Sequence, residues 1–292
     1  MTSGLVAAIA AALLLGGYLV AVKHYFSHYP PTRYLAVVHL IGLGWYLPAI
    51  ATAGTLDDLF PPLSAGEIVF VAGTVGLIAV ALAAFYHALA IGDVSYVAPI
   101  SKIVPVFVLP LEVLLLGQRL AAIQVVGVGV ATSAVYVANY RGKSLLAPIR
   151  SLRSRRAALF GLASAGLFGV VDVGKRISMQ ELAVPASGFV VLTLALVPVA
   201  LAPVAIRRGR AAVEWRSDCS KLVAAGGVLA VGQHLVSVGF VRLPASVVSP
   251  VVNTQAVVAV VLGSVLLGEP HARRRLLAGG LAVLGVLFVS LG

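Results

Sequence analysis

Acidic residues are scarce: 10 Asp and Glu stand among 292 residues, against 21 Lys and Arg. Cysteine is scarcer still, with Cys219 alone, which excludes an internal disulfide and a cysteine-based metal site. The phosphate-cradling pattern G-x-x-x-x-G-K-[ST] is absent, and no soluble stretch is long enough to hold a nucleotide-binding domain. Work driven directly by ATP is thereby excluded, and no cofactor or metal is expected. No Ser-His-Asp set and no paired carboxylates stand out, which argues against an enzyme. The opening residues Met1 to Gly4 lack the basic n-region of a cleaved leader, and the apolar run behind them is long enough to remain as a span. Charges of both signs make up only 11% of the chain, less than half of the ~25% usual in soluble domains.

What fills the space is hydrocarbon. Apolar residues make up 60% of the chain and the mean hydropathy is +1.05. Apolar runs of about 18 residues or more recur from end to end, each long enough to cross ~30 Å of bilayer as a helix. This composition belongs to an all-α polytopic membrane protein. The net charge of +11 does not point to nucleic acid, because the basic residues sit in short loops beside apolar spans, where they set membrane topology. The expected partners are the lipid bilayer and a small-molecule substrate. Nothing in the sequence sets the oligomeric state, and a monomer is compatible with it.

Ten transmembrane helices are expected, over 3–22, 33–53, 66–91, 94–116, 121–140, 157–176, 185–206, 221–241, 244–267 and 275–291. Tyr29-Pro30-Pro31 and Phe60-Pro61-Pro62 punctuate the runs, since proline cannot continue a helix and turns the residue before it away from helical geometry. The chain also repeats itself. Asp93 to Leu120 falls without a gap on Pro244 to His271 at an offset of 151, with Ser95, Pro99 and Gly117 landing on Ser246, Pro250 and Gly268. Between Val94 and Gly117, 8 of 24 aligned pairs are identical, and the Ser, Pro and Gly matches carry weight that Val and Leu matches in so apolar a chain do not. Farther back, Gly17 and Lys23 fall on Gly169 and Lys175 at an offset of 152. The halves are read as 1–141 and 142–292, joined by a basic linker loop over 141–156. Five helices per half would invert the second copy relative to the first, the repeat architecture of many secondary transporters.

Ala98-Pro99-Ile100 with Leu116-Gly117-Gln118-Arg119, and Ser249-Pro250-Val251 with Leu267-Gly268-Glu269-Pro270, resemble the paired motifs of the drug/metabolite transporter superfamily, EamA type. The resemblance extends over essentially the whole chain. It implies a ten-helix permease of the cell membrane that moves a small organic metabolite, most often outward, by alternating access. The family's usual Glu after the Gly is Gln118 in the first copy, so a role for that acid does not carry over to the first half. A lipid flippase or scramblase is the alternative that the same fold would host. An intramembrane enzyme would need a clustered nucleophile and base, and none is evident.

Lys102 is the sharpest candidate for a binding residue. It sits about eight residues into the fourth helix, roughly 12 Å deep, where an unpartnered charge costs ~2.5–3.5 kcal/mol or more. It follows Pro99 by three, as Asn253 follows Pro250, and each proline frees the carbonyl four residues back, at Ser95 and Ser246. Each half thus places a break, a hydroxyl and a polar side chain at one depth, the layout of a midplane site. Gln255 and Trp45 complete the candidate substrate site, and Asp172, Glu112 and His87 are candidates for proton coupling. A structural ion pair of Lys102 with Glu112 or Asp172 is the competing reading, as is a local Asp172–Lys175 pair at the membrane edge. Tyr25, Tyr29 and Tyr34 read as an interfacial belt, and Gly161, Ala165 and Gly169 as a tight helix contact.

Orientation follows from Lys and Arg. Sixteen lie on the face opposite the termini and four on the termini's face, with Lys102 between them. The positive-inside rule places the sixteen in the cytoplasm and both termini outside. The resembled family's habit places the termini in the cytoplasm.

Overall fold

The structure, a computed structural model, describes residues 2–56, 58–93, 97, 100, 101, 103–117, 121–139, 156–207, 215–266 and 272–291. All the regular secondary structure among the described residues is helical, with no strand among them. In chain order the helices are α1 (Thr2–Phe26), α2 (Pro31–Thr52), α3 (Ala65–Ile91), α4 (Pro105–Leu116), α5 (Ala122–Asn139), α6 (Arg156–Arg176), α7 (Ala186–Arg207), α8 (Trp215–Arg242), α9 (Ala245–Asn253), α10 (Gln255–Leu266) and α11 (Ala272–Ser290). A π-helical turn, Ile177–Glu181, extends α6. Among the described residues seven helical stretches are long and apolar enough to cross a membrane: α1, α2, α3, α6 with its π turn, α7, α8, and α9 joined to α10.

The ends of these helices follow from local chemistry. Pro31 occupies the first turn of α2, where its missing N–H costs nothing. Ser64 caps α3 by a capping box, accepting from the Glu67 backbone while the Glu67 carboxylate accepts from the Ser64 backbone N–H at 2.7 Å. Gly117 ends α4 in the left-handed region at φ 64°, a conformation glycine adopts without a Cβ penalty. In the first copy the Gly of the Leu-Gly motif is therefore a helix stop, while Gly268 of the second lies outside the described residues.

The expected helix over 244–267 is not continuous. It breaks at Thr254, between α9 and α10, where the Val257 N–H turns back to the Thr254 carbonyl at 2.8 Å. In the first half Val106 N–H reaches Ile103 O at 2.9 Å in the same way, and Ile103 and Val106 are the repeat counterparts of Thr254 and Val257. Both copies break at one position, four residues after the aligned prolines rather than at them. Pro250 lies inside α9, with all of Ala245, Ser246 and Val248 to Asn253 buried around it. Pro105 explains the break in the first half, since it opens α4 at its first position. No proline stands at the matching Ala256, so the second break belongs to the packing of the copy.

Packing between helices states the repeat in three dimensions. Across the halves α1 packs on α8, α3 on α6, α2 on α7, α4 on α9, and α5 on α11. The first helix of either half meets the third of the other, while the second, fourth and fifth meet their own counterparts. That reciprocal pattern is what a two-fold relation between two copies produces. The small residues of α6 permit one of these approaches. A methyl added at Gly169 would lie 2.5 Å from Phe107 Cβ, and one at Gly161 would lie 3.0 Å from Ser101 Oγ. Bulk would thus prise α6 from α4 and from the residues just before it.

Candidate functional site

Between the α1·α8 pair and the α3·α6 pair lies a cavity of about 90 Å³, closed along one side by α9 and α10. Its apolar wall is aromatic, with Phe85, Phe168 and Phe240 among the lining residues. Its polar groups are Tyr18 and Tyr86, the Asp172–Lys175 pair of α6, Gln233 of α8, and Ser249, Asn253 and Gln255 at the α9–α10 break. Asn253 donates to Ser249 O at 2.7 Å and contacts Ser249 Oγ at 3.2 Å, so one amide is anchored back onto its own helix at the cavity edge.

Asp172 and Lys175 are i, i+3 on α6, both more than nine-tenths buried, with Nζ 3.8 Å from Oδ1. At that distance the pair is Coulombic rather than a tight hydrogen bond. The Lys175 ammonium also lies 5.4 Å from the centre of the Phe240 ring, within cation–π range. The local pair expected at the membrane edge exists, but it faces the central cavity. The helical i, i+3 spacing brings the two groups together, and the α3·α6 and α8 packing closes over them.

The remaining candidates divide. Ser246 and Pro250 are buried on α9, and Asn253 and Gln255 line the cavity. Ser95, Pro99 and Lys102 lie outside the described residues. Trp45 lines a different space, a lateral cleft of about 810 Å³ between α2, α7 and α8, where it is 55% exposed and donates Nε1–H to Val223 O at 3.1 Å. Its placement near the middle of a helix carried no information about which side of that helix meets the cavity. Glu112 is buried in a 2.8 Å ion pair with Arg176, joining α4 to the end of α6 away from the cavity lining. His87 stacks edge-on against Phe160 with centroids 4.5 Å apart and is not among the lining residues.

Several residues of the site had no signal in the sequence. Tyr34, read there as interfacial, is buried, and its hydroxyl hydrogen-bonds that of Tyr18 at 2.7 Å. Its ring lies 5.8 Å from that of Tyr86. Tyr18 lines the cavity, yet its repeat counterpart is the apolar Val170, so comparing the copies passes over it. Tyr29, a second of the three residues read as a belt, donates to Asp218 Oδ2 at 2.8 Å from a buried position, while the third, Tyr25, is exposed. Among the described residues no cluster of His, Cys, Asp or Glu has the makings of a metal site.

Comparison with known proteins agrees with this architecture. A solved crystal structure described only as that of a protein superposes with a TM-score of 0.73 at 19% identity, covering 100% of this chain and 97% of its own, a likeness of fold. Among curated proteins nothing matches. The model of the EamA-like transporter family matches twice, over residues 2–140 and 155–291, one match for each of the two repeats. The chain therefore belongs to the EamA-like transporter family.

Proposed function

We propose that this protein is a secondary transporter that carries a small zwitterionic or ampholytic organic solute out of the cell. In this reading ten crossings form two inverted five-helix repeats, and the cavity between them is the solute site. The observation that carries the proposal is the buried Asp172–Lys175 pair on an aromatic cavity that also presents Gln233, Asn253 and Gln255. Two opposite charges 3.8 Å apart keep each other neutral when the cavity is empty, which offsets the cost of burial. A ligand bearing both charges can insert between them and exchange one ion pair for two, with no net charge left in hydrocarbon. A ligand of single charge would leave the site with a net charge. Lys102, a cation deep in the fourth expected helix by sequence, fits the same reading by favouring a carboxylate on the solute. Transport is then powered by the solute's own gradient or an ion gradient.

A thermal-shift screen of purified protein against amino acids, amines, organic acids, sugars and nucleobases tests the reading. Zwitterions should raise the melting temperature, while their amine-only and acid-only analogues should not. A shift produced by sugars or by simple cations alone would overturn the assignment.

A further inference from the structure

The same two carbonyls of each repeat are held by one donor, at opposite ends of the bundle. Lys23 Nζ, at the end of α1, donates to Leu89 O at 2.8 Å and Gly92 O at 3.0 Å, at the end of α3. Gln180 Nε2, in the π turn after α6, donates to Phe240 O and Leu243 O, each at 2.8 Å, at the end of α8. Phe240 and Leu243 are Leu89 and Gly92 advanced by the repeat offset of 151. The donors, however, do not correspond. Lys23 aligns with Lys175, which turns to the cavity instead, and the π turn with its Gln has taken over the carbonyls of the second half. The ends are opposite because Arg242, closing α8, donates to Ser3 at the start of α1, some 20 residues and ~30 Å of helix from Lys23.

Each bridge crosses the seam between the two helix pairs. α1 and α3 have almost no direct packing, the first lying on α8 and the second on α6. Lys23 therefore ties one pair to the other at one mouth, and Gln180 ties α6 to α8 at the other. Tyr86 walls both the central cavity and a second one of about 20 Å³, which is bounded by Tyr34, Leu89 and Lys23. At the other end Phe240, whose carbonyl Gln180 holds, itself lines the cavity under Lys175. A central space of about 90 Å³ is well below the ~300–1,000 Å³ of ligand pockets, so a solute of ordinary size needs the two helix pairs to part.

We infer that Lys23 and Gln180 are paired latches, one for each mouth, and that opening toward either side of the membrane requires releasing the latch on that side while the other holds. The latches are unequal. An ammonium on the carbonyl end of a helix makes charge-assisted bonds favoured by the helix dipole, whereas the Gln180 amide makes neutral ones. The Gln180 mouth is the one that opens more readily at rest.

The inference rests on reading the cavity as the transport path, but its test needs no substrate, so it fails separately from the zwitterion assignment. A single reporter thiol is placed in the cavity as Val252→Cys on a Cys219→Ser background. It is labelled with a membrane-impermeant maleimide in right-side-out and inside-out vesicles. Lys23→Met should raise labelling from one side roughly tenfold, equivalent to ~1.4 kcal/mol, and leave the other side unchanged. Gln180→Glu, of equal size but with the donor replaced by an acceptor, should do the same from the opposite side. Gln180→Lys should slow labelling from that side below the parent, a gain of closure that a misfolded protein cannot mimic. Equal acceleration from both sides by either variant, or no change from any of the three, would overturn the latches.

Discussion

Two buried ion pairs sit within one turn of each other on α6, and their surroundings give them different duties. Arg176 meets Glu112 at 2.8 Å away from the cavity, whereas Lys175 and Asp172 stand 3.8 Å apart on its wall. Glu112→Gln leaves the Arg176 charge without its carboxylate in a largely buried place, at a cost of ~3–5 kcal/mol. A melting curve should fall by several degrees, with the solute-induced shift of the remaining folded protein intact. Lys175→Met should also lower the melting temperature, by removing the cation that faces the buried Asp172 carboxylate, but it should abolish the solute shift as well. Adding Asp172→Asn to Lys175→Met should recover the melting temperature and not the shift. Recovery of both would make the pair purely structural. Lys102→Met belongs to the same series, and loss of the solute shift in a normally melting protein is the expected result.

At the scale of the helix, close approach and interruption do the positioning. Gly169→Ala drives a methyl to 2.5 Å from Phe107 Cβ. Forcing such a contact in a packed interior costs about 1–3 kcal/mol, so a lower melting temperature is expected, with larger side chains worse in order of volume. Pro250 acts differently, because it is tolerated inside a helix whose break comes at Thr254. Pro250→Ala restores a backbone donor to the Ser246 carbonyl and stiffens the segment leading into Asn253 and Gln255. Reconstituted vesicles should then take up the solute found by screening more slowly at an unchanged melting temperature. Unaltered uptake would make Pro250 a kink without consequence.

For the molecule as a whole, the reciprocal packing of the two copies sets the central cavity between two helix pairs, and the basic residues predict which end of the bundle faces the cytoplasm. By the sequence count sixteen Lys and Arg fall in segments expected on the side opposite the termini and four in segments expected on theirs. The positive-inside rule predicts that the termini and the Gln180 end face outward, which for the proposed exporter would put the weaker latch on the outer side. A C-terminal reporter that fluoresces only in the cytoplasm should stay dark in a normally expressed fusion. A bright fusion would reverse the assignment and turn the easier mouth inward.

Class, repeat and most helix boundaries were legible in the sequence because each depends on local chemistry. Hydrocarbon admits a spanning chain only with its backbone bonds satisfied internally, so composition alone called for helices. Prolines and Gly117 marked their ends, and the offset of 151 aligned the copies. Asn253 and Gln255 were found because polar residues in an apolar helix need a place to face. Whether Trp45 or Tyr18 meets the cavity depends on how helices distant in sequence turn toward one another, and no short-range pattern encodes that rotation. The same holds for the partner of Asp172's helix and for the π turn that carries Gln180 to the carbonyls of α8. Tertiary packing decided those contacts, since only the assembled bundle brings a donor from one copy to bear where the other copy uses a different residue.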